Sequence, residues 1–246
     1  MKTQKYFLPL ALVGTLFLTS CNDDDGYSLD KFWVSVGTVQ NGDNSSYFFL
    51  DLDNGKRLWT VATNLPYYRP AIGQRVIADY TILSDREEAS SYDHDVKLND
   101  VCPILTKDIV NITSENDEEL GNDPVKITDI WVGGDHLNVE FVFAGYSKVH
   151  FINLGLDEAN DYNDGKVHLE LRHNAYGDRP AYNMWGIASF RLKSLQEDGV
   201  ESIAIIVHVN EYGTGEEKTY ELTYDFNSQA AIDKAFNPGE NIGSIE

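Results

Sequence analysis

Two aromatic and basic stretches hold the residue types best suited to recognition. LRHNAYGDRPAYNMWG (171–186) gathers Arg172, His173, Tyr176, Asp178, Arg179, Tyr182 and Trp185 around one loop. LPYYRP (65–70) sets Tyr67, Tyr68 and Arg69 between two prolines. Aromatic side chains beside arginine are what binding hot spots are made of, and aromatic faces also suit the C–H groups of sugar rings. Tyr67, Tyr68, Arg69, Arg172, His173, Tyr176, Arg179 and Trp185 are therefore the candidate binding positions. A scaffold role competes at each stretch. Asn174 and Gly177 can make a turn, Asp178 can pair with an arginine, Trp185 can be core, and both tyrosines can cover the mouth of a barrel.

Catalytic sets are harder to find. Tyr92-Asp93-His94-Asp95 could orient an imidazole between carboxylates, and paired acids are the apparatus of glycoside hydrolysis. Nothing in the sequence joins them to a second element. There is no G-x-S-x-G elbow, phosphate loop or H-E-x-x-H. The absence of C-x-x-C excludes a zinc ribbon. LDLDNG (50–55) fails as an EF-hand, because Gly55 and Ala62 fall where the loop needs oxygen ligands. Asp157, Asp161 and Asp164 could ligate calcium outside that motif, against the simpler reading of a solvated acidic loop. The expectation is a non-catalytic protein without metal or cofactor.

The elements that must position these residues read as strands. Short apolar or alternating runs recur, divided by Gly, Asn, Asp and Pro, which is the pattern of an all-β chain. Strands are expected at 32–40, 46–52, 57–63, 73–83 and 96–110, the last broken at Pro103, which cannot donate to a ladder. Asn54-Gly55 suits a type I′ hairpin turn. Five strands over 27–112 are compatible with a small Greek-key barrel of the OB type, with an SH3-like barrel as the alternative. TSENDEELGNDP (113–124) reads as a linker. Seven strands follow from Val125, suggesting a β-sandwich over 125–246. In KVHLELRHN (166–174), Val167, Leu169 and Leu171 share one face; His168, Glu170 and Arg172 share the other. A short helix is expected over 228–235. Cys102, between Val101 and Pro103, is expected as a small core residue.

The 246-residue chain has 40 acidic against 19 basic side chains and a net charge of −21. That disfavours nucleic acid, whose phosphates require cation clusters. Residues 1–20 read as a signal peptide, with Lys2 and Lys5 before an apolar run too short to span a bilayer. Leu18-Thr19-Ser20-Cys21 resembles a bacterial lipobox. The resemblance implies cleavage before Cys21 and acylation there, several chains together giving durable membrane anchorage. Acylated Cys21 would leave Cys102 without a disulfide partner. Asn22-Asp23-Asp24-Asp25 within 21–26 reads as a hydrated tether. It looks like the export tag of Bacteroidetes surface lipoproteins, which implies an outward-facing outer-membrane location.

LDKFWVSVGTV, GQRVIADYTIL and VCPILTKDI, then LRHNAYGD, SFRLKSL and SIAIIVHVNEY, follow that leader in order. Together they resemble the NigD-like family of Bacteroidetes lipoproteins across nearly the whole mature chain. The resemblance implies an N-terminal OB-like domain and a C-terminal β-sandwich. It brings no catalytic residues. The family name implies an accessory or immunity-like role beside a bacteriocin system. The residues themselves favour a surface module for binding or assembly, with an envelope protein or a glycan as partner.

Overall fold

The computed structural model describes residues 27–41, 48–87, 89–212 and 217–227. The signal peptide expected over 1–20, Cys21 with the tether expected over 21–26, and the helix expected over 228–235 lie outside them.

The chain is all-β, with an OB barrel followed by a sandwich. Five strands close the barrel: β1 (Trp33–Asn41), β2 (Phe48–Leu52), β3 (Arg57–Thr63), β4 (Arg75–Asp85) and β5 (His94–Pro103). Their order around it is β1-β2-β3-β5-β4, and β3 runs parallel to β5. Alternation dictates the filling: Leu50, Leu58, Val76, Ala78, Val96 and Leu98 are buried inside. At the β2–β3 hairpin Gly55 takes φ 81° while Asn54 keeps negative φ. The Gly55 amide donates to the Leu52 carbonyl at 3.0 Å. The turn is therefore type I closed by a left-handed glycine, in place of the expected type I′.

Among the described residues the sandwich holds nine strands. β6 (Leu105–Asp108), β12 (Tyr182–Arg191), β9 (His136–Gly145) and β8 (Lys126–Gly133) form one sheet in that order. β14 (Glu217–Asp225), β13 (Ser202–Asn210), β11 (Val167–Asn174), β10 (Phe151–Leu156) and β7 (Val110–Asn111) form the other. Phe141, Phe143, Phe190, Leu154, Leu169 and Val207 are buried in its core.

Three further expectations change. The single strand expected over 96–110 is three strands, and β6 and β7 pair with sandwich strands. The chain thus crosses between domains at Ile104, which is itself buried. The stretch 113–124 is not a free linker. It contains a helical turn, α1 (Asp117–Leu120), with Leu120 buried. The Arg172 guanidinium bonds the Asp117 carboxylate and the Gly121 carbonyl, fixing this segment to β11. Cys102 is exposed, because Val101 takes the inward position on β5. Partial burial and the Asp100 carboxylate push its thiol up, away from the reactive thiolate.

The domains meet over Val36, Ile77, Ile104, Trp131, Trp185 and Ile187, all buried. At the edge of this patch the Arg75 guanidinium grips Asp53 with two contacts of 2.6 Å. Asn138 and Trp131 of the sandwich donate to the same carboxylate at 3.0 Å. A Cβ at Gly133 would overlap the Asp53 carboxyl, so only glycine permits this approach.

Candidate functional site

The loop after β11 and the loop after β9 build one exposed face. Tyr176 lies in the left-handed region at φ 48°, followed by Gly177 at φ 63°. This tight reversal turns Asp178 inward, with its side chain 3% exposed. There the carboxylate accepts the Tyr146 amide at 2.5 Å and the Ser147 amide at 3.1 Å. His150 Nε2 lies 3.3 Å from the same oxygen. Burial raises the Asp178 pKa, but the Tyr146 amide and His150 outweigh it and hold the carboxyl well below its ordinary range. One carboxylate thus clips two loops together.

Above the clip the Arg179 guanidinium lies 4.2 Å from the Tyr146 ring centre. Tyr146 stacks against Tyr182, centroids 6.0 Å apart. Tyr176 meets Phe151 edge-on at 5.2 Å, and the Lys148 ammonium bonds the Tyr176 carbonyl. Tyr146, Val149, Tyr176 and Tyr182 are 40–61% exposed. The result is a firm aromatic and cationic platform on an otherwise acidic molecule.

The eight sequence candidates divide. Tyr176 and Arg179 belong to this platform. Arg172 and His173 are buried, holding α1 and the carbonyl of Asp123 respectively. Trp185 is buried between the domains and donates to Glu140 at 2.7 Å. These three build scaffold. Tyr68 packs edge-on against Phe48 at 6.3 Å, and Arg69 bonds the carbonyls of Pro66 and Tyr68. Tyr67 is 93% exposed, so that loop offers one ring and no assembled surface. Tyr182 lies in the 171–186 stretch but is not among the eight, and neither are Tyr146, Lys148 and Val149, which complete the platform. Their only local signal is a polar and aromatic tail after the alternating run that ends at Gly145.

The other chemistry candidates are occupied. His94 bonds Asp85 at 2.7 Å and does not sit between Asp93 and Asp95. Asp93 accepts the Arg57 amide, and Asp95 accepts Ser84. Asp157, Asp161 and Asp164 each accept a backbone amide two residues on, the geometry of Asx turns. Among the described residues no group of three or more His, Cys, Asp or Glu is arranged to hold a metal ion.

Barrel and sandwich together define a two-domain β protein whose constituent domains are known. Residues 36–104 match the NigD-like N-terminal OB domain, and 108–224 match the NigD-like C-terminal beta sandwich domain. The chain belongs to the NigD-like family. It is similar to a Bacteroides vulgatus protein of unknown function, 31% identical with TM-score 0.71, over 85% of this chain and 97% of the other. It is also similar to a candidate toxin-related protein from Parabacteroides distasonis, 34% identical with TM-score 0.69, over 80% and 95%. A NigD-like immunity protein from Bacteroides caccae shares the fold at 20% identity and TM-score 0.59, over 79% and 93%. No curated protein matches the chain.

Proposed function

We propose that this chain is a non-catalytic, lipid-anchored protein of the bacterial outer membrane, facing outward, that binds a partner through the Tyr146–Arg179–Tyr182 platform. The single observation that carries the binding role is this stack, exposed in aromatic side chains yet pinned beneath by Asp178. Rigid tyrosines lose little entropy on contact, and arginine supplies directed donors, which is why both dominate hot spots. The partner is an envelope protein or a glycan; the net charge of −21 speaks against nucleic acid. Anchorage rests on the lipobox-like Leu18-Thr19-Ser20-Cys21.

A second reading, an accessory or immunity-like lipoprotein of a bacteriocin system, is favoured by the 34% identity to the candidate toxin-related protein. Proximity labelling on living cells tests both. Envelope proteins or glycan-uptake components labelled from outside support the first, and a toxin or its exporter supports the second. Labelling confined to cytosolic proteins would overturn both.

A further inference from the structure

β11 carries a histidine near each end, and each is joined ring to ring with a second histidine. His168 Nδ1 lies 2.9 Å from His208 Nε2 on the outer face. His173 Nε2 lies 2.9 Å from His150 Nδ1 in the interior. The interior pair supports the platform, because His150 also touches Asp178.

The interior pair has more contacts than two neutral rings can serve. His150 Nε2 faces the Asp178 carboxylate, and His173 Nδ1 faces the Asp123 carbonyl at 3.2 Å. Both oxygens are acceptors. With the ring-to-ring contact, three N–H protons are needed, and two neutral imidazoles supply two. A third proton is required, or two lone pairs oppose one another in the interior at the cost of an unmade buried bond. A metal ion in its place would draw both lone pairs to an apex off the line between the rings. The centroids are 5.0 Å apart, close to the largest separation a 2.9 Å contact permits, so each nitrogen points at the other. That geometry fits a proton.

We propose that one extra proton shared by His150 and His173 locks the Tyr146–Arg179–Tyr182 platform, so that the face holds its shape when the pair is protonated and loosens when the proton leaves. This rests on the reading of that face as the binding surface. With the proton, His150 donates to Asp178. Without it, one of the three contacts is left with two opposing lone pairs, and the His150 donor to the carboxylate that holds the Tyr146 and Ser147 amides is no longer fixed. The groups facing the pair are few. The loop after β11 supplies Asp178, and the segment before β8 supplies Asp123, whose carboxylate already accepts the Ala175 amide at 2.7 Å. β9 supplies the Phe143 ring, 4.7 Å from His150, and Gly145. Lys148 is tied to the Tyr176 carbonyl. Burial, then the neighbouring His150, hold the His173 pKa down to about 4.

The test is ¹⁵N NMR of the imidazoles of the full mature chain from about pH 5 to 8, the span in which histidine charge changes, with amide exchange at Tyr146 and Ser147. The proposal expects three N–H protons on the pair at the acid end and loss of one with rising pH. Amide protection at both residues should fall at the same midpoint, about tenfold per pH unit beyond the intrinsic base-catalysed rise, as a one-proton linkage requires. In Asp178→Asn, which keeps an acceptor oxygen but removes the charge, the midpoint should move down by about one unit. Two protons on the pair throughout, or amide protection indifferent to the imidazole titration, would overturn it. No readout involves a partner, so failure of Arg179→Ala to affect binding tests the surface reading separately.

Discussion

Arg75 and Asp53 form a two-pronged ion pair, 1% and 8% exposed, where the barrel meets the sandwich. Both belong to the barrel, yet the carboxylate also takes donors from Trp131 and Asn138 of the sandwich. A buried pair gains little over an apolar one, but losing one partner strands a charge. Arg75→Ala should therefore cost about 3–5 kcal/mol and uncouple the two domains. Calorimetry is expected to show one transition for the parent chain and two for the variant. A single unshifted transition would refute the junction's role.

Trp185 and Tyr182 sit three residues apart and should behave oppositely. Trp185→Ala empties part of the interdomain core and should destabilise by about 3–5 kcal/mol, measured by urea unfolding. Tyr182→Ala, at an exposed ring, should stay within about 0.5 kcal/mol of the parent.

How much of this was legible beforehand follows from range. The buried face of β11 was readable because Leu169 and Leu171 alternate with His168 and Arg172, and alternation is a local property. The role of Ile104 was not, because an apolar residue between Pro103 and Leu105 does not reveal that two domains close over it. The segment 113–124 looks unstructured by composition. Its order comes from Arg172, some 50 residues away in sequence. Arg179 and Tyr176 were legible as types, but the Asp178 clip spans 28 to 32 residues and leaves no local signature.

Acid should weaken the fold in two windows. His173 is held down to about 4 from an ordinary 6.5 by burial and by His150. Its folded value is below its unfolded one, so this proton, taken up beyond the one the pair shares, is disfavoured in the fold: the contribution is complete above about pH 6.5 and declines as pH falls toward 4. Asp178 is depressed below 3.8, so its contribution declines only below that value. Thermal melts from pH 8 to about 3 should show the first decline flattened in His173→Gln. An unchanged slope in that variant would assign the decline elsewhere.

Anchorage has its own readout. Cys21→Ala should move the protein from the membrane pellet to the soluble or secreted fraction, because the acyl chains then have no attachment point. Retention in the pellet would argue against acylation at Cys21.

The most direct measurement is site-specific photocrosslinking on intact cells, with the photoreactive residue at Tyr182 and a control at Tyr67, which is exposed on the barrel. The binding account expects a discrete adduct from position 182, absent at 67, and reduced at least about tenfold by Arg179→Ala with unfolding unchanged. No adduct at 182, or equal adducts at both positions that Arg179→Ala leaves intact, would contradict it.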